Sequence, residues 1–424
     1  MKIDSYEIHF DKYAKEVDPS QFESFKQTLV ESKFTDIIIL AHGWNNNIED
    51  ARELYAGLLG KISEAIAAKN DTSKKFVSLI VFWPSKKFTE RELIPGNAAG
   101  IGDAEEQETQ DLISSWAGMK DLFTDAPALA AYEKILKGIK TSKDEEALAP
   151  EFLKILSSIS SSQENTPFEG ISKEEVKVFL ADGNLPYLEG VEDEGKATAI
   201  NTDQTSTEDN SLGLFSGIKQ AIANAMNLTT YYTMKNRAGE IGAALNDKLI
   251  EIRSLADANL HLAGHSFGAR LVTAALFGPK PIEVKTLALV QAAFSHFAFA
   301  SRYDDINDGF FRSILTSNKI KGALLITHTR ADKAVGLAYA LASRLAGQNS
   351  SATGDKDSMY GGLGGNGAQK TPGIEDKISL AQAAASSLFQ AGKTYNLLSD
   401  HIIGGHSDII KTEVGQAIVN AIYV

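Results

Sequence analysis

The sequence predicts an α/β fold built on a mostly parallel β-sheet flanked by helices, and two observations lead to this prediction. Short, nearly continuous apolar runs rich in Val, Ile and Leu recur along the chain between turn residues, which is typical of strands buried on both faces. Amphipathic helical patterns lie between these runs. Strands that alternate with helices favour a parallel sheet whose ligands bind at the carboxyl ends of the strands.

The predicted elements follow one another along two parts of the chain. The apolar runs predict strands at residues 36–41, 76–83, 260–263, 284–290, 323–327 and 394–398. The 3.6-residue periodicity predicts helices at residues 51–68, 236–254, 267–276, 334–345 and 409–422. Residues 348–373 are predicted to form a loop.

The alternation of strands and helices fails between residues 85 and 214. That stretch contains helix candidates at residues 105–123, 128–139, 150–159 and 174–180 but no buried strand. Its end, residues 189–210, is acidic and rich in Ser and Thr, which predicts a flexible linker. We therefore predict a core made of residues 1–85 and 214–424, with a helical cap subdomain inserted at residues 86–213.

Composition narrows the class of protein. The 42 Lys and Arg residues are outnumbered by 55 Asp and Glu residues, which argues against a nucleic-acid partner. The chain has no cysteine, so disulfides, thiolate metal sites and cysteine nucleophiles are excluded. No apolar stretch is long enough for a membrane-spanning helix, and the first residues lack a signal-peptide pattern. We expect a cytoplasmic protein, with signal-independent export left open.

The most informative motif is a Gly-x-Ser-x-Gly sequence between a predicted strand and a predicted helix. It runs from Gly264 through His265, Ser266 and Phe267 to Gly268. On such a strand-to-helix turn a serine hydroxyl is exposed in a strained backbone, and glycines flank it because side chains there would collide with the strand and the helix. The pattern predicts that Ser266 is a nucleophile; a plain glycine-rich turn is the alternative.

A serine nucleophile needs a base and a group that orients the base. His406 follows two glycines in a loop before the last predicted helix and is the preferred base over His401. Asp332 lies just past a late strand and is the preferred acid; its alternative role is a helix N-cap. Other acids follow a different strand, namely Asp304, Asp305 and Asp308. The order serine, acid, histidine along the chain is the one that accompanies this kind of turn.

Acyl transfer also requires hydrogen-bond donors for the oxyanion. A predicted strand ends at His42 and Gly43, so that the backbone N–H of Trp44 can face the site together with the N–H of Phe267. We interpret His42 and His265 as supporting, structural histidines rather than catalytic ones.

Three other patterns are interpreted as structural. The G-x-G-x-x-G sequence at residues 362–367 lacks the strand and helix of a dinucleotide site, so no cofactor is predicted. His261 and His265 have a metal-ligand spacing, but on a strand and its turn rather than on a helix, so no metal is predicted. The aromatic residues Phe294, Phe297 and Phe299 are interpreted as core or pocket wall.

These motifs together resemble the α/β-hydrolase superfamily of serine esterases and lipases. The resemblance rests on the segment from His42 to Trp44, the turn at Ser266, and the positions of Asp332 and His406. The Phe-Trp-Pro-Ser sequence at residues 82–85 is similar to a sparsely characterised bacterial branch. The resemblance implies a mostly parallel, eight-stranded sheet flanked by helices, and acyl transfer to water without a cofactor. The large insertion predicted as a cap or lid departs from this pattern, because lids in this superfamily often follow a strand after the nucleophile elbow, whereas this insertion precedes it.

The expected function is therefore hydrolysis of a carboxylic ester, with a small-molecule or lipid ester as the partner. Two alternatives stay open at this point. One is a lipase or phospholipase that acts on long acyl chains. The other is a catalytically inactive protein that keeps the fold as a binding module. The sequence leaves the oligomeric state open.

Overall fold

The structure of this chain is a computed structural model that describes part of the sequence. The described residues are 3–44, 46–85, 113–114, 116–117, 119–120, 123, 126–140, 148, 150–152, 154–155, 210–332, 335 and 361–424. The chain forms two compact units: one comprises Met1–Lys86, Met234–Tyr339 and Ala352–Val424, and the other comprises Lys87–Thr233 and Ala340–Ser351.

The first unit contains one eight-stranded sheet with the order β1-β3-β2-β4-β5-β6-β8-β7. Every pairing between these strands is parallel. The strands are β1 (Asp4–His9), β2 (Asp36–Ala41), β3 (Phe76–Phe82), β4 (Asn259–His265), β5 (Thr286–Val290), β6 (Leu324–His328), β7 (Ile374–Ser379) and β8 (Thr394–Leu398). The predicted α/β class with a parallel sheet is confirmed.

The part of the chain that the structure describes contains helices in both units. They are α1 (Pro19–Glu31), α2 (Ile48–Lys69), α3 (Ala126–Lys140), α4 (Asn210–Leu255), α5 (Phe267–Phe277), α6 (Arg312–Thr316), α7 (Leu363–Asn366), α8 (Leu380–Ala385) and α9 (Thr412–Ile422). Helix α4 has 46 residues and includes the predicted helix at residues 236–254. Helix α9 begins three residues later than predicted. Up to Lys411 the backbone forms turns, in which Ile409 N donates to Ser407 O and Lys411 N donates to Ile409 O.

The sheet's central strands and its edge strands differ in burial. Every residue of β2, β3, β5 and β6 is buried, which explains why their sequences are nearly continuous apolar runs. The edge strands β1 and β7 are largely half-buried or exposed, and the sequence prediction missed both. Apolar side chains from the sheet, α2, α8 and α9 form a common core on one face.

Local sequence signals explain where the helices begin. Helix α1 starts with Pro19 behind Asp18, whose carboxylate accepts a hydrogen bond from Ser20 N, an N-cap followed by the residue best suited to the first helical position. Helix α2 begins with a capping box in which the side chains of Asn47 and Asp50 each accept from the other's backbone N–H.

A charged cluster lies buried at the amino end of the central strands. Asp36 at the start of β2 is fully buried and accepts hydrogen bonds from Lys74 Nζ at 2.8 Å and from His261 Nε2 at 3.0 Å. Burial alone would raise the pKa of Asp36, but the hydrogen bonds from His261, Lys74 and Thr35 outweigh it and hold that pKa well below its ordinary value. The cluster ties the β2 start to β4.

Most of the described residues of the second unit between 113 and 155 are helical, and aromatic side chains pack together there. Trp116 is fully buried and stacks on Tyr132 with ring centroids 5.7 Å apart. Phe152 meets the Trp116 ring edge-on at 5.7 Å, and Phe123 lies 5.1 Å from Tyr132. Helix α3 corresponds to the predicted helix at residues 128–139.

Several sequence predictions fall outside the described residues. These are the helix at 174–180, most of the helices at 105–123 and 334–345, half of the helix at 150–159, the linker at 189–210 apart from its last residue, and residues 348–360 of the predicted loop. The covering role of the segment 86–213 therefore stays a prediction. Within the part of the chain that the structure describes, no helix is long and apolar enough to cross a membrane.

Candidate active site

Ser266 occupies a sharp turn between β4 and α5. Its backbone has φ 56° and ψ −124°, a conformation that costs energy for a residue with a Cβ atom and that clusters at functional sites. The neighbouring strand holds the turn in place, since Ser266 N donates to Val290 O at 3.1 Å and Ala293 N donates to Ser266 O at 3.2 Å. The strained backbone is therefore supported on both sides of the peptide.

The glycines on either side of Ser266 are required by close backbone approach. A Cβ atom on Gly264 would overlap the carbonyl group of Gly268, and one on Gly268 would overlap the carbonyl oxygens of Ala41 and His42. Neither glycine has a positive φ angle. Their role is to let β4, α5 and the end of β2 pack against one another.

His406 meets Ser266 from the loop between β8 and α9. Its Nε2 lies 2.8 Å from Ser266 Oγ, and its Nδ1 lies 2.9 Å from Asp332 Oδ2. Because a carboxylate only accepts hydrogen bonds, Nδ1 carries the proton in the neutral ring. Nε2 is then the acceptor that faces the serine hydroxyl.

Asp332 lies four residues beyond the end of β6, and its side chain is fully buried. Its two carboxylate oxygens have separate tasks. Oδ2 accepts from His406, whereas Oδ1 accepts from Val335 N at 3.0 Å. The bond to Val335 is the one expected of a helix N-cap, so the two interpretations of Asp332 from the sequence are compatible.

The competing candidates lie elsewhere. His401 is exposed, and within the described part of the chain it makes no hydrogen bond to Ser266 or Asp332. Asp304 accepts from the backbone N–H groups of Ile306 and Asn307, and Asp308 accepts from Arg302 N. These acids, together with Asp305, belong to an exposed turn at residues 302–308.

His265 and His42 are both buried neutral histidines beside the serine turn. His265 Nε2 donates to the carbonyl oxygen of His406 at 2.9 Å, and burial together with the nearby His406 ring lowers the pKa of His265 to about 3. His42 Nδ1 lies 2.9 Å from Gly43 O, Trp83 N donates to His42 Nε2 at 3.3 Å, and burial lowers the pKa of His42 to about 4. Each ring thus links two segments that meet at the site.

The segment after β2 passes directly beside the serine. A Cβ atom on Gly43 would lie 2.7 Å from Ser266 Cβ and 2.9 Å from His265 Nδ1. The next residue, Trp44, has its ring centroid 6.1 Å from that of Phe267. The two residues predicted to supply oxyanion donors are therefore neighbours at the carboxyl edge of β2 and β4.

One buried amide next to Asp332 was not anticipated from the sequence. Gln291, directly after β5, donates from Nε2 to Asp332 Oδ2 at 3.0 Å. A single polar residue at the end of an otherwise apolar run, LALVQAA, is the signal that could have identified it.

The glycine-rich segment 362–367 is not wholly the predicted loop, because Leu363–Asn366 form the short helix α7, and Gly364 packs against the backbone of Gln291. Phe294, Phe297 and Phe299 are buried, with Phe294 edge-on to Phe299. Among the residues that the structure describes, no three His, Asp or Glu side chains are grouped so that they could hold a metal ion.

Comparison of this chain with protein-family models, with curated proteins and with solved structures finds no match. Inference about its function therefore rests on the geometry of the site. A hydroxyl, an imidazole and a carboxylate in one hydrogen-bonded chain form an arrangement that can activate a serine for nucleophilic attack.

Proposed function

We propose that this chain is a serine hydrolase of the α/β-hydrolase superfamily that cleaves carboxylic esters through an acyl-enzyme. The observation that carries the proposal is the continuous chain of hydrogen bonds from Ser266 Oγ through His406 to Asp332, at 2.8 and 2.9 Å. The strained backbone of Ser266 at the carboxyl edge of a parallel sheet supports it further.

Acylation follows from the positions of the three side chains. Ser266 Oγ attacks the ester carbonyl carbon while His406 Nε2 takes the hydroxyl proton. The carbonyl oxygen becomes an oxyanion, for which the backbone N–H groups of Trp44 and Phe267 are the proposed donors. His406 then protonates the leaving alcohol as the C–O bond of the ester breaks.

Deacylation repeats these steps with water. His406 takes a proton from water, the water oxygen attacks the acyl carbon, and the bond to Ser266 Oγ breaks as that oxygen regains its proton. Asp332 holds the imidazole with Nδ1 protonated throughout and offsets the positive charge that the ring acquires. No step needs a cofactor, and the proposed partner is a small-molecule or lipid ester.

The arrangement favours an enzyme over an inactive binding module. A binding protein has no need for a serine in a strained backbone conformation with an imidazole 2.8 Å from its hydroxyl oxygen. Strain of this kind costs about 1–3 kcal/mol and persists where it contributes to function.

The test is covalent labelling with a fluorophosphonate probe, together with hydrolysis of p-nitrophenyl esters from acetate to palmitate. Ser266→Ala is expected to abolish labelling and to lower kcat by about 1,000-fold or more. Ser254→Ala is the matched control and should behave as wild type, because Ser254 is exposed and its hydroxyl donates to the Glu251 carbonyl oxygen. A wild-type protein that is not labelled, or a Ser266→Ala variant that is, would refute the proposal. The acyl-length profile separates an esterase from a lipase.

A further inference from the structure

Gln291 lies between the serine turn and the acid of the site. It follows the last residue of β5, is fully buried, and has a positive φ of 46°. A left-handed backbone at a residue other than Gly, Asn or Asp is uncommon and persists only where its surroundings hold it. The hydrogen bonds of its side chain indicate what this backbone conformation contributes to the site.

Both N–H bonds of the Gln291 amide are used. Nε2 donates to Asp332 Oδ2 at 3.0 Å and to the carbonyl oxygen of Gly364 at 3.1 Å. The other end of the amide is fixed by Thr327 in β6, whose hydroxyl donates to Gln291 Oε1 at 2.9 Å and accepts from Gln291 N at 3.0 Å. The amide therefore has one defined orientation, with its NH₂ group toward the carboxylate.

The glycine-rich segment at residues 362–367 completes this arrangement. Gly364 N donates to Ala292 O, and Gly364 O also accepts from Thr329 N at 2.9 Å. A Cβ atom on Gly364 would lie 2.9 Å from Gln291 Cα, so only glycine allows the segment to approach so closely. The segment, the β5 end and the β6 end together hold the Gln291 side chain.

Asp332 Oδ2 is the atom to which His406 Nδ1 also donates. With donors from Gln291 and His406 on Oδ2 and from Val335 N on Oδ1, the buried carboxylate cannot rotate about its Cβ–Cγ bond without losing a hydrogen bond. A lost hydrogen bond to a buried charged group is costly. The plane of the carboxylate, and with it the direction of the imidazole, is thereby fixed.

We propose that Gln291 is a positioning residue that acts through Asp332 and keeps His406 aimed at Ser266. The proposal rests on the proposed function of the site. It differs from a purely structural role, in which Gln291 would only join the ends of β5 and β6. The two roles make different predictions when Asp332 is also changed.

The first test is a double-mutant cycle with Gln291→Met, which keeps the side-chain length and removes the donor. Q291M is expected to lower kcat for p-nitrophenyl acetate and the fluorophosphonate labelling rate by about 10- to 100-fold, with KM nearly unchanged. In an Asp332→Ala background the same substitution should cause little further loss, because the group through which it acts is gone. Multiplicative losses would overturn the proposal.

Gln369→Met is the matched control. Gln369 follows the glycine-rich segment, and its side-chain amide donates from Nε2 to Asn366 O rather than to Asp332. It should leave both rates at the wild-type level, and thermal unfolding shows whether each variant is folded.

The second test is the pH profile of Gln291→Glu. A protonated Glu can still donate to Asp332 Oδ2, whereas an ionised Glu places a second negative charge beside it. The ratio of Q291E to wild-type kcat/KM should therefore fall as pH rises. A ratio that does not depend on pH would count against the proposal.

A third readout needs no ester turnover and separates this inference from the proposed function. The low-field proton resonance of the His406 to Asp332 hydrogen bond is expected to shift in Q291M and to stay unchanged in Q369M. An unchanged resonance in Q291M overturns the positioning role even if wild-type labelling supports the hydrolase. Absence of wild-type labelling refutes the hydrolase, whatever the resonance does.

Discussion

Gly43→Ala adds one carbon atom to the site and leaves the three residues of the proposed triad unsubstituted. The added Cβ would lie 2.7 Å from Ser266 Cβ and 2.9 Å from His265 Nδ1. Because carbon atoms pack at about 3.5–4.0 Å, the shortfall of about 1 Å has to be absorbed by the serine turn or by the segment after β2. Backbone hydrogen bonds hold the serine turn and packing holds the segment after β2, so neither can move by this distance without a cost in free energy.

The expected magnitude follows from this displacement. Overpacking of one carbon costs about 1–3 kcal/mol of stability, which a domain of this size tolerates. Misplacement of reacting groups by about 1 Å can lower the rate about 100-fold. We therefore expect G43A to remain folded while kcat/KM for p-nitrophenyl esters and the labelling rate of Ser266 fall by about 100-fold.

Gly60→Ala serves as the control, since a Cβ atom on Gly60 in α2 meets nothing within 4 Å. It should keep wild-type rates and gain a little stability, because alanine favours the helix by about 0.5–1 kcal/mol. Wild-type kcat/KM in G43A would refute the reasoning that links the approach of Gly43 to the position of the nucleophile.

Two further predictions concern stability. Lowering the pH from 7 to 5 should reduce the free energy of unfolding. The folded-state pKa values of His42 and His265 are lowered to about 4 and about 3. Below about pH 6.5 the unfolded chain therefore binds protons that the folded chain does not. The stability from each histidine is fully present above about pH 6.5 and declines by about 1.4 kcal/mol per pH unit below it; urea unfolding that shows no dependence on pH in this interval contradicts the prediction. Asp36→Ala should lower the free energy of unfolding by about 3–5 kcal/mol, since it leaves His261 and Lys74 without their buried acceptor. A decrease in that free energy of less than about 1 kcal/mol would show that the cluster at the sheet's amino end is not stabilising.

Burial explains which strands could be predicted from the sequence. The central strands carry apolar residues on both faces, as the segment DIIILA of β2 shows, and such runs are recognisable. The edge strands read DSYEIH and IEDKIS, with polar residues at most positions. They are strands because a neighbour offers them backbone hydrogen bonds. Strand β1 pairs with the distant β3, as Asp4 with Val77, and β7 pairs with the next strand, β8, beyond helix α8.

Helix α4 illustrates a different difficulty. Its second half was predicted, but the helix begins at Asn210. The intervening segment NLTTYYTM contains β-branched and aromatic residues with weak helix propensity. The helix continues through this segment against its local propensity, which a short window of sequence could not anticipate.

The candidate site divides in the same way. Local sequence patterns, either a motif or a polar residue after a strand, contain Ser266, Asp332 and His406. These three residues and their order along the chain could therefore be proposed from the sequence. The role of Gln291 depends on which strands are neighbours: β4, β5 and β6 are adjacent in the sheet, and only that adjacency brings the amide to the acid. The residues that its side chain contacts lie 36 to 73 positions further along the chain, at and just beyond the end of β6 and in the glycine-rich segment.

The triad is also assembled from distant segments, with 140 residues between Ser266 and His406 and 74 between His406 and Asp332. The imidazole arrives only when β8 has paired with β6 and α9 has packed on the sheet. Contacts of such long range require the closure of large loops, which makes them slow to form. In a chain that is still being synthesised, Ser266 therefore lacks its base until β8 has paired with β6. Any local opening that releases β8 would likewise separate His406 from Ser266 before the rest of the sheet unfolds.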